Sequence, residues 1–291
     1  CPASGPPEVL QYTNLGKPGP RANELLVKVR SATVTSGDVN MRRFPRVLLW
    51  TVGAIAGFNP MKIPGIEYAG EVVEVGSDVR EFAPGQAVCG TTTGLRFGAN
   101  AEYVCVPVRP RQGVLARKPD SISFDHAATA TVGPMTAMQL IKGSDVQPGD
   151  WAGQSVLVYG ASGSVGSYAV QLARHFGAEV TAVCSSANID LVQSIGANHA
   201  LDYTREDFTT TGRRYDLIFD AVAKLSKSKC SASLTPTGRY TSVRRPTKEK
   251  QEELEQILAR VAAGAICPVI DREFPLSEIA EAHRYAESGR K

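Results

Sequence analysis

The stretch that most restricts this chain is an apolar run, Ser155–Tyr159 (SVLVY), that passes directly into Gly160-Ala161-Ser162-Gly163-Ser164-Val165-Gly166. Behind it, Ala169, Val170 and Leu172 fall on one helical face. An apolar run of this length before a glycine turn reads as a strand, and the 3.6-residue period after the turn reads as a helix. In such a strand-turn-helix unit the first small residue reverses the chain and the second lets the backbone approach a pyrophosphate. The third lets helix and strand pack closely. Ala161, Gly163 and Gly166 hold those three places, with Gly160 before them. The N–H groups and positive dipole end of the helix then face the phosphates. All seven residues, Gly160, Ala161, Ser162, Gly163, Ser164, Val165 and Gly166, are therefore read as a phosphate cradle opening a dinucleotide-binding domain.

The surrounding pattern supports a doubly wound parallel sheet. After a helical stretch at 123–140, with Ser123 as N-cap and an interruption expected at Gly133-Pro134, strands and helices alternate. Strands are expected at 155–159, 179–184, 200–203, 215–222 and 239–243, and helices at 165–176 and 189–195. A charged helix at 248–263 and an amphipathic one at 275–288 follow. The first part of the chain is different. Residues 25–34 (LLVKVRSATV), 68–75, 87–89 and 101–106 read as short strands separated by Pro/Gly turns, the mark of a compact barrel-like β domain. The fold class is α/β, and the domains are set at residues 1–123, 124–263 and 264–291.

Composition removes several function classes. The net charge is +3 with both signs well mixed, which gives no footprint for nucleic acid. The longest apolar stretch, 47–58 (VLLWTVGAIAGF), is broken by two glycines and falls short of the ~20 residues a membrane helix needs; it reads as a buried or pocket-lining segment. Six cysteines are scattered without a C-x-x-C pair. Neither a disulfide framework nor a structural zinc site has that spacing, so reduced thiols and a cytoplasmic location are expected.

The cofactor's adenosine end is read from the strand 179–184 (EVTAVC). An NAD site places a carboxylate near the end of this second strand, about 20 residues past the glycine turn, to hold the ribose 2′-hydroxyl. Here the strand runs into Ser185 and Ser186 instead, and Glu179 stands at its wrong end. That favours NADP(H), with a 2′-phosphate against the two serine hydroxyls.

With these features in place the chain resembles the medium-chain dehydrogenases/reductases, specifically the zinc-free quinone oxidoreductase-like branch of zeta-crystallin and alkenal/one oxidoreductase type. The resemblance is carried by GPPEVLQ (5–11), PGIEYAGEVVEVGSDV (64–79), GANAEYVCVP (98–107), GASGSVGSYAVQLARHFGAEV (160–180), GANHALDYTREDF (196–208) and PVIDREFPLSEIAEAHRYAESGR (268–290). It implies a GroES-like catalytic domain built from both chain ends with a Rossmann domain inserted, and a homodimer. It also implies that Ser162, Ser164 and Val165 contact the pyrophosphate and that Ser185 and Tyr203 meet the 2′-phosphate end. Ser186 and Val222 join the cofactor-binding set. Some relatives carry a lysine where this chain has Asn188. Thr136 matches a threonine beside the nicotinamide, and Asn40 falls where some quinone reductases have a pocket tyrosine; these two are the catalytic candidates. Residues 42–58 are expected to shape the pocket entrance.

Zinc members of the family use a Cys a few residues before an Asp, and a Gly-His-Glu. The matching segments here are Thr35-Ser36-Gly37-Asp38 and Gly65-Ile66-Glu67, so two ligand positions carry side chains unable to serve as thiolate and imidazole. His126, His175, His199 and His283 lie in separate elements and form no constellation. No metal is expected. Without one, hydride delivery to an already electrophilic acceptor, a quinone or an α,β-unsaturated carbonyl, is easier than alcohol oxidation. A small hydrophobic electrophile is the expected partner, with no nucleic acid and no membrane. Two alternatives stay open: an NADPH-binding sensor or structural protein with little catalysis, and an enoyl-thioester reductase. A six-strand sheet would also need another strand after Val243, on the order of 25 residues more, and the resemblance further implies an opening strand before Cys1 and a closing strand after Lys291. The numbering is accordingly expected to omit segments.

Overall fold

Residues 4–44, 63–93, 97–141 and 149–289 are described by the computed structural model of the chain. The stretch 45–62, with most of the expected pocket entrance, lies outside the described residues. In chain order the elements are β1 (Glu24–Ala32), α1 (Ser36–Arg43), β2 (Glu67–Val75), β3 (Ala87–Thr91), β4 (Tyr103–Pro107), β5 (Leu115–Arg117), α2 (Phe124–Thr129) and α3 (Val132–Ile141). There follow β6 (Ser155–Tyr159), α4 (Ser164–His175), β7 (Glu179–Cys184), α5 (Ile189–Ser194), β8 (His199–Asp202), β9 (Tyr215–Asp220) and β10 (Leu234–Ser242). The last helices are α6 (Gln251–Ala262) and α7 (Ile279–Glu287).

Two structural units emerge. The first comprises residues 1–132, 249–262 and 270–291, and the second 133–248 and 263–269. These divisions differ from the boundaries at 123/124 and 263/264 drawn from sequence.

The first unit is built on an antiparallel sheet of order β4-β1-β2-β3-β5. β1 is internal to it, and Leu25, Leu26 and Val27 are all fully buried, so its first residues show no in-out alternation. Leu25, Val27, Tyr68, Val72, Val88, Val104, Val106 and Leu115 form the core of this unit. Each large aliphatic among them contributes about 1.5–3 kcal/mol by leaving water. Gln251, at the start of α6, fastens that helix to β5 with both halves of its amide. Its Nε2 donates to the Leu115 carbonyl at 2.7 Å, and its Oε1 accepts from the Leu115 N–H at 3.2 Å.

The second unit holds a parallel sheet of order β10-β9-β6-β7-β8. The chain starts at β6, moves outward through β7 and β8, then returns to the other side of β6 through β9 and β10. The reversal between β6 and β9 creates the crevice in which doubly wound sheets hold their ligands, at the carboxyl ends of the strands. Leu157, Val183, Tyr215, Ile218 and Leu225 pack one face. Gln171 of α4 repeats the device of Gln251: Nε2 donates to the Cys267 carbonyl at 3.0 Å and Oε1 accepts from the Cys267 N–H at 2.7 Å, which ties 263–269 to this unit.

Three expectations about elements need correction. The helix at 123–140 is two helices, and the break falls at Ala130-Thr131 rather than at Gly133-Pro134. Pro134 sits in the first turn of α3, where a proline gives up no helical hydrogen bond. The strand expected at 239–243 starts at Leu234, pairs with Tyr215, and shifts register before Arg239 resumes opposite Leu217. Residues 36–43, where the sequence pattern predicts no element, form α1, opened by a capping box between Thr35 and Asp38.

Candidate functional site

The glycine turn lies at the switch point of the parallel sheet. Gly160 has φ +79°, a left-handed conformation open to glycine at no cost. Its N–H and that of Ala161 both donate to the Val183 carbonyl, at 2.9 and 3.1 Å, which stitches the turn to β7. Gly163 is the N-cap of α4, with no side chain bonding the first turn. The opening amides of α4 therefore point outward without a helical carbonyl to meet them. A Cβ on Gly163 would find its nearest neighbour at 3.5 Å, so the space before the helix is clear. A Cβ on Gly166 would stand 2.1 Å from the Gly160 carbonyl oxygen, so this glycine serves packing. A twelve-residue helix with an uncapped, glycine-lined start fits a pyrophosphate.

Val222 closes the other side of the crevice. A Cβ on Gly160 would meet Val222 Cγ1 at 2.5 Å, so the two loops touch across the β6–β9 boundary. The Val222 loop is held by Asp220, fully buried at the end of β9. Its Oδ1 accepts from the N–H groups of Val222 (3.1 Å) and Lys224 (3.3 Å), and Oδ2 accepts from Leu225 N–H (2.8 Å) and the Tyr240 hydroxyl (3.2 Å). Sequence reasoning missed Asp220 because its role depends on backbone that turns back onto it.

At the end of β7 the structure gathers Ser162, Ser185, Ser186, Asn188 and Tyr203. Asn188 Nδ2 donates to Ser162 Oγ at 3.0 Å and lies 3.5 Å from Ser185 Oγ, linking the phosphate turn to the next loop. Tyr203 is exposed; its N–H donates to the Cys184 carbonyl at 3.0 Å and its ring leans on Tyr159. One expectation changes here. The sequence places no carboxylate at the end of the second strand, yet Ser186 Oγ donates to Asp202 Oδ2 on the third. Asp202 ends β8 and stands in register with Cys184 at the end of β7. Its other oxygen accepts from Thr204 N–H at 2.9 Å and Thr204 Oγ1 at 2.7 Å, and Arg205 Nε lies 3.5 Å away. The hydrogen bond from Ser186, with those from Thr204, holds this carboxyl below its usual range. Inter-strand register is what brings it there, and a linear reading of the second strand alone does not contain it.

Thr136 lies half-buried on α3 in the second unit, and Asn40 is exposed on α1 in the first. In the first unit the positions that zinc relatives use as ligands are otherwise engaged. Thr35 Oγ1 accepts from the N–H groups of Gly37 and Asp38 and donates to Asp38 Oδ2 at 2.7 Å. Glu67 is buried, with Oε1 accepting from Thr131 Oγ1 at 2.7 Å and Val132 N–H at 2.8 Å, and Oε2 from Thr33 Oγ1. Burial raises its pKa to about 7, against the opposing pull of these hydrogen bonds. With Ile66 beside it, this donor set does not fit zinc. Among the described residues no group of three His, Cys, Asp or Glu side chains is placed to hold a metal ion.

Comparison with known proteins matches both halves. The family described as alcohol dehydrogenase GroES-like domain covers residues 21–119, and the family described as zinc-binding dehydrogenase covers 164–265. The 2-methylene-furan-3-one reductase of Solanum lycopersicum is 30% identical, over 96% of this chain and 72% of the relative. The chloroplastic NADPH-dependent alkenal/one oxidoreductase of Arabidopsis thaliana is 30% identical over 95% and 72%. Among solved structures, the quinone oxidoreductase from Coxiella burnetii superposes with a TM-score of 0.82 at 25% identity, over 99% of this chain and 94% of that one. The antiparallel sheet is thus the GroES-like domain, the parallel sheet is the Rossmann domain, and the chain belongs to the quinone oxidoreductase-like branch of the medium-chain dehydrogenase/reductase superfamily of oxidoreductases.

Proposed function

We propose that this protein is a zinc-independent, NADPH-dependent reductase that delivers a hydride to a quinone or an α,β-unsaturated carbonyl. The observation that carries the reading is the uncapped start of α4 at the switch point, closed over by Val222. When bound, the dinucleotide supplies the hydride; the protein's part is to hold and orient it. The amides after Gly163 bind the pyrophosphate, Ser185 and Tyr203 flank the adenosine end, and the Val222 loop borders the nicotinamide side. Thr136 and Asn40 are the proposed contacts to nicotinamide and acceptor. The engaged Thr35 and Glu67 support the zinc-free part of the proposal. A conjugated acceptor fits this chemistry, because conjugation spreads the developing negative charge without a metal. Two relatives are named for alkenals or enones and for a methylene-furanone, both conjugated carbonyl compounds.

The proposed setting is cytoplasmic and homodimeric. Cys89, Cys184, Cys230 and Cys267 are free thiols, consistent with a reducing compartment, and no described helix is long and apolar enough to cross a membrane. Since several relatives are named as chloroplastic, cell fractionation is the check on location.

Purified protein mixed with NADPH and a panel of quinones, enones, saturated ketones and acyl-thioesters tests the function. NADPH oxidation is expected with the conjugated acceptors only, unchanged by chelators. Tight NADPH binding without oxidation would favour a sensor. Turnover confined to acyl-thioesters would favour an enoyl-thioester reductase.

A further inference from the structure

We propose that Asp202 sets the specificity of the adenosine-ribose pocket, and that the pocket takes NADH as well as NADPH. The inference rests on the dinucleotide reading above and adds a residue and a second cofactor to it.

Position is the first argument. A doubly wound sheet meets the adenosine ribose at the end of its second strand, here Cys184. Asp202 is the register partner of Cys184 on the neighbouring parallel strand, about 4.8 Å away in the hydrogen-bonding direction. The carboxylate that an NAD site places on the second strand is thus supplied from the third.

Proton placement is the second argument. A serine hydroxyl has one proton to donate. That of Ser186 goes to Asp202 Oδ2, so Ser186 offers only lone pairs to a ligand. A ribose 2′-hydroxyl can donate to those lone pairs; a 2′-phosphate, which is an acceptor at neutral pH, cannot. Asn188 gives one amide proton to Ser162 Oγ and brings no charge to the loop. A cation stands beside this pocket: Arg205 Nε lies 3.5 Å from Asp202 Oδ2. The remaining guanidinium donors sit on a side chain 81% exposed and can reach a phosphate. One anion and one cation therefore face the 2′ position together, and neither form of the ribose is strongly excluded. Hydrogen bonds from Ser186 and Thr204 lower the Asp202 pKa below the usual carboxylate range.

The test is fluorescence titration of NADH and NADPH into the wild type and into Asp202→Asn and Ser186→Ala, with thermal melts confirming that each is folded. The wild-type dissociation constants are expected to agree within about tenfold. Asp202→Asn removes the charge and keeps one of the two accepting oxygens, so the NADH/NADPH ratio should move toward NADPH by about fivefold or more. Ser186→Ala removes the 2′-hydroxyl's acceptor from an exposed loop and should weaken NADH by about threefold or more, leaving NADPH less affected. A wild-type preference beyond that tenfold range overturns the proposal. So does an Asp202→Asn ratio equal to the wild type's or, where that variant does not fold, a Ser186→Ala variant with unchanged NADH affinity. If the wild type binds neither dinucleotide, the cofactor reading itself fails, whatever the variants do.

Discussion

Gly166 lies so close beneath Gly160 that a Cβ on it would stand 2.1 Å from the Gly160 carbonyl oxygen. Gly163, three residues earlier, leaves 3.5 Å around the same imagined atom, with φ −77° and ψ 171°. The two glycines therefore serve different ends, and alanine separates them. Gly166→Ala forces α4 away from β6 and should destabilise the protein by about 2 kcal/mol or more. Gly163→Ala keeps an allowed backbone and should cost less than about 1 kcal/mol. Its methyl group would stand in the proposed pyrophosphate site, so NADPH affinity should fall about tenfold or more. Thermal melts and NADPH titrations of both variants check this; equal melting losses would refute the division of roles.

What the sequence could show follows the range of the interactions involved. The turn at 160–166 was legible because strand pattern, glycines and helix pattern are contiguous. Asp202 was not, since only the register of β8 against β7 brings it to Ser186. The start of β10 at Leu234 was hidden by Pro236, which reads as a strand breaker and falls inside the register shift. Thr35 stands where the zinc-ligating cysteine of zinc relatives would be, three residues before Asp38. Their spacing also spells a capping box, and that is the role the structure assigns them. The parallel sheet has the five strands parsed from sequence, with no sixth among the described residues.

Glu67 predicts a dependence on pH. Burial raises its pKa from 4.5 to about 7, so the folded protein holds this proton more tightly than the unfolded chain does. The resulting stabilisation is complete below about pH 4.5 and is lost as pH rises through about 7. Its full size is on the order of 3 kcal/mol. Denaturant unfolding of the wild type should show stability falling across that window relative to Glu67→Gln, which has no proton to lose. Parallel curves for the two proteins would show that Glu67 does not titrate there.

His283 carries the opposite slope. It is fully buried, and neither ring nitrogen has a hydrogen-bond partner among the described residues. Burial, with Arg42 nearby, lowers its pKa from 6.5 to about 4. The unfolded chain therefore binds the proton more readily, and stability present above about pH 6.5 is lost as pH falls through about 4. Between these limits His283 and Glu67 oppose each other, so the wild type should be nearly flat where each single variant is sloped. His283→Gln should unfold at lower pH than the wild type in an acid titration followed by circular dichroism. An unchanged acid midpoint would count against the assignment.

Asp220 joins stability to cofactor binding. Three backbone N–H groups and the Tyr240 hydroxyl converge on its carboxyl, and the first of these belongs to Val222, whose side chain lies over Gly160. Asp220→Ala leaves these donors without their acceptor at about 1 kcal/mol each, for a loss of about 3 kcal/mol or more. Tyr240→Phe removes one of the four, with the hydroxyl's 3.1 Å contact to the Leu225 carbonyl, and should cost about 1 kcal/mol. The variants should also differ in binding. With the amides of 222–225 released, Val222 no longer stays against the glycine turn, so NADPH affinity should drop in Asp220→Ala. In Tyr240→Phe those amides keep their acceptor and affinity should hold. Affinity that follows melting temperature equally in both variants would mean that Asp220 acts on stability alone. Affinity lost only in Asp220→Ala would show that the buried carboxyl shapes the crevice by fixing the loop that carries Val222.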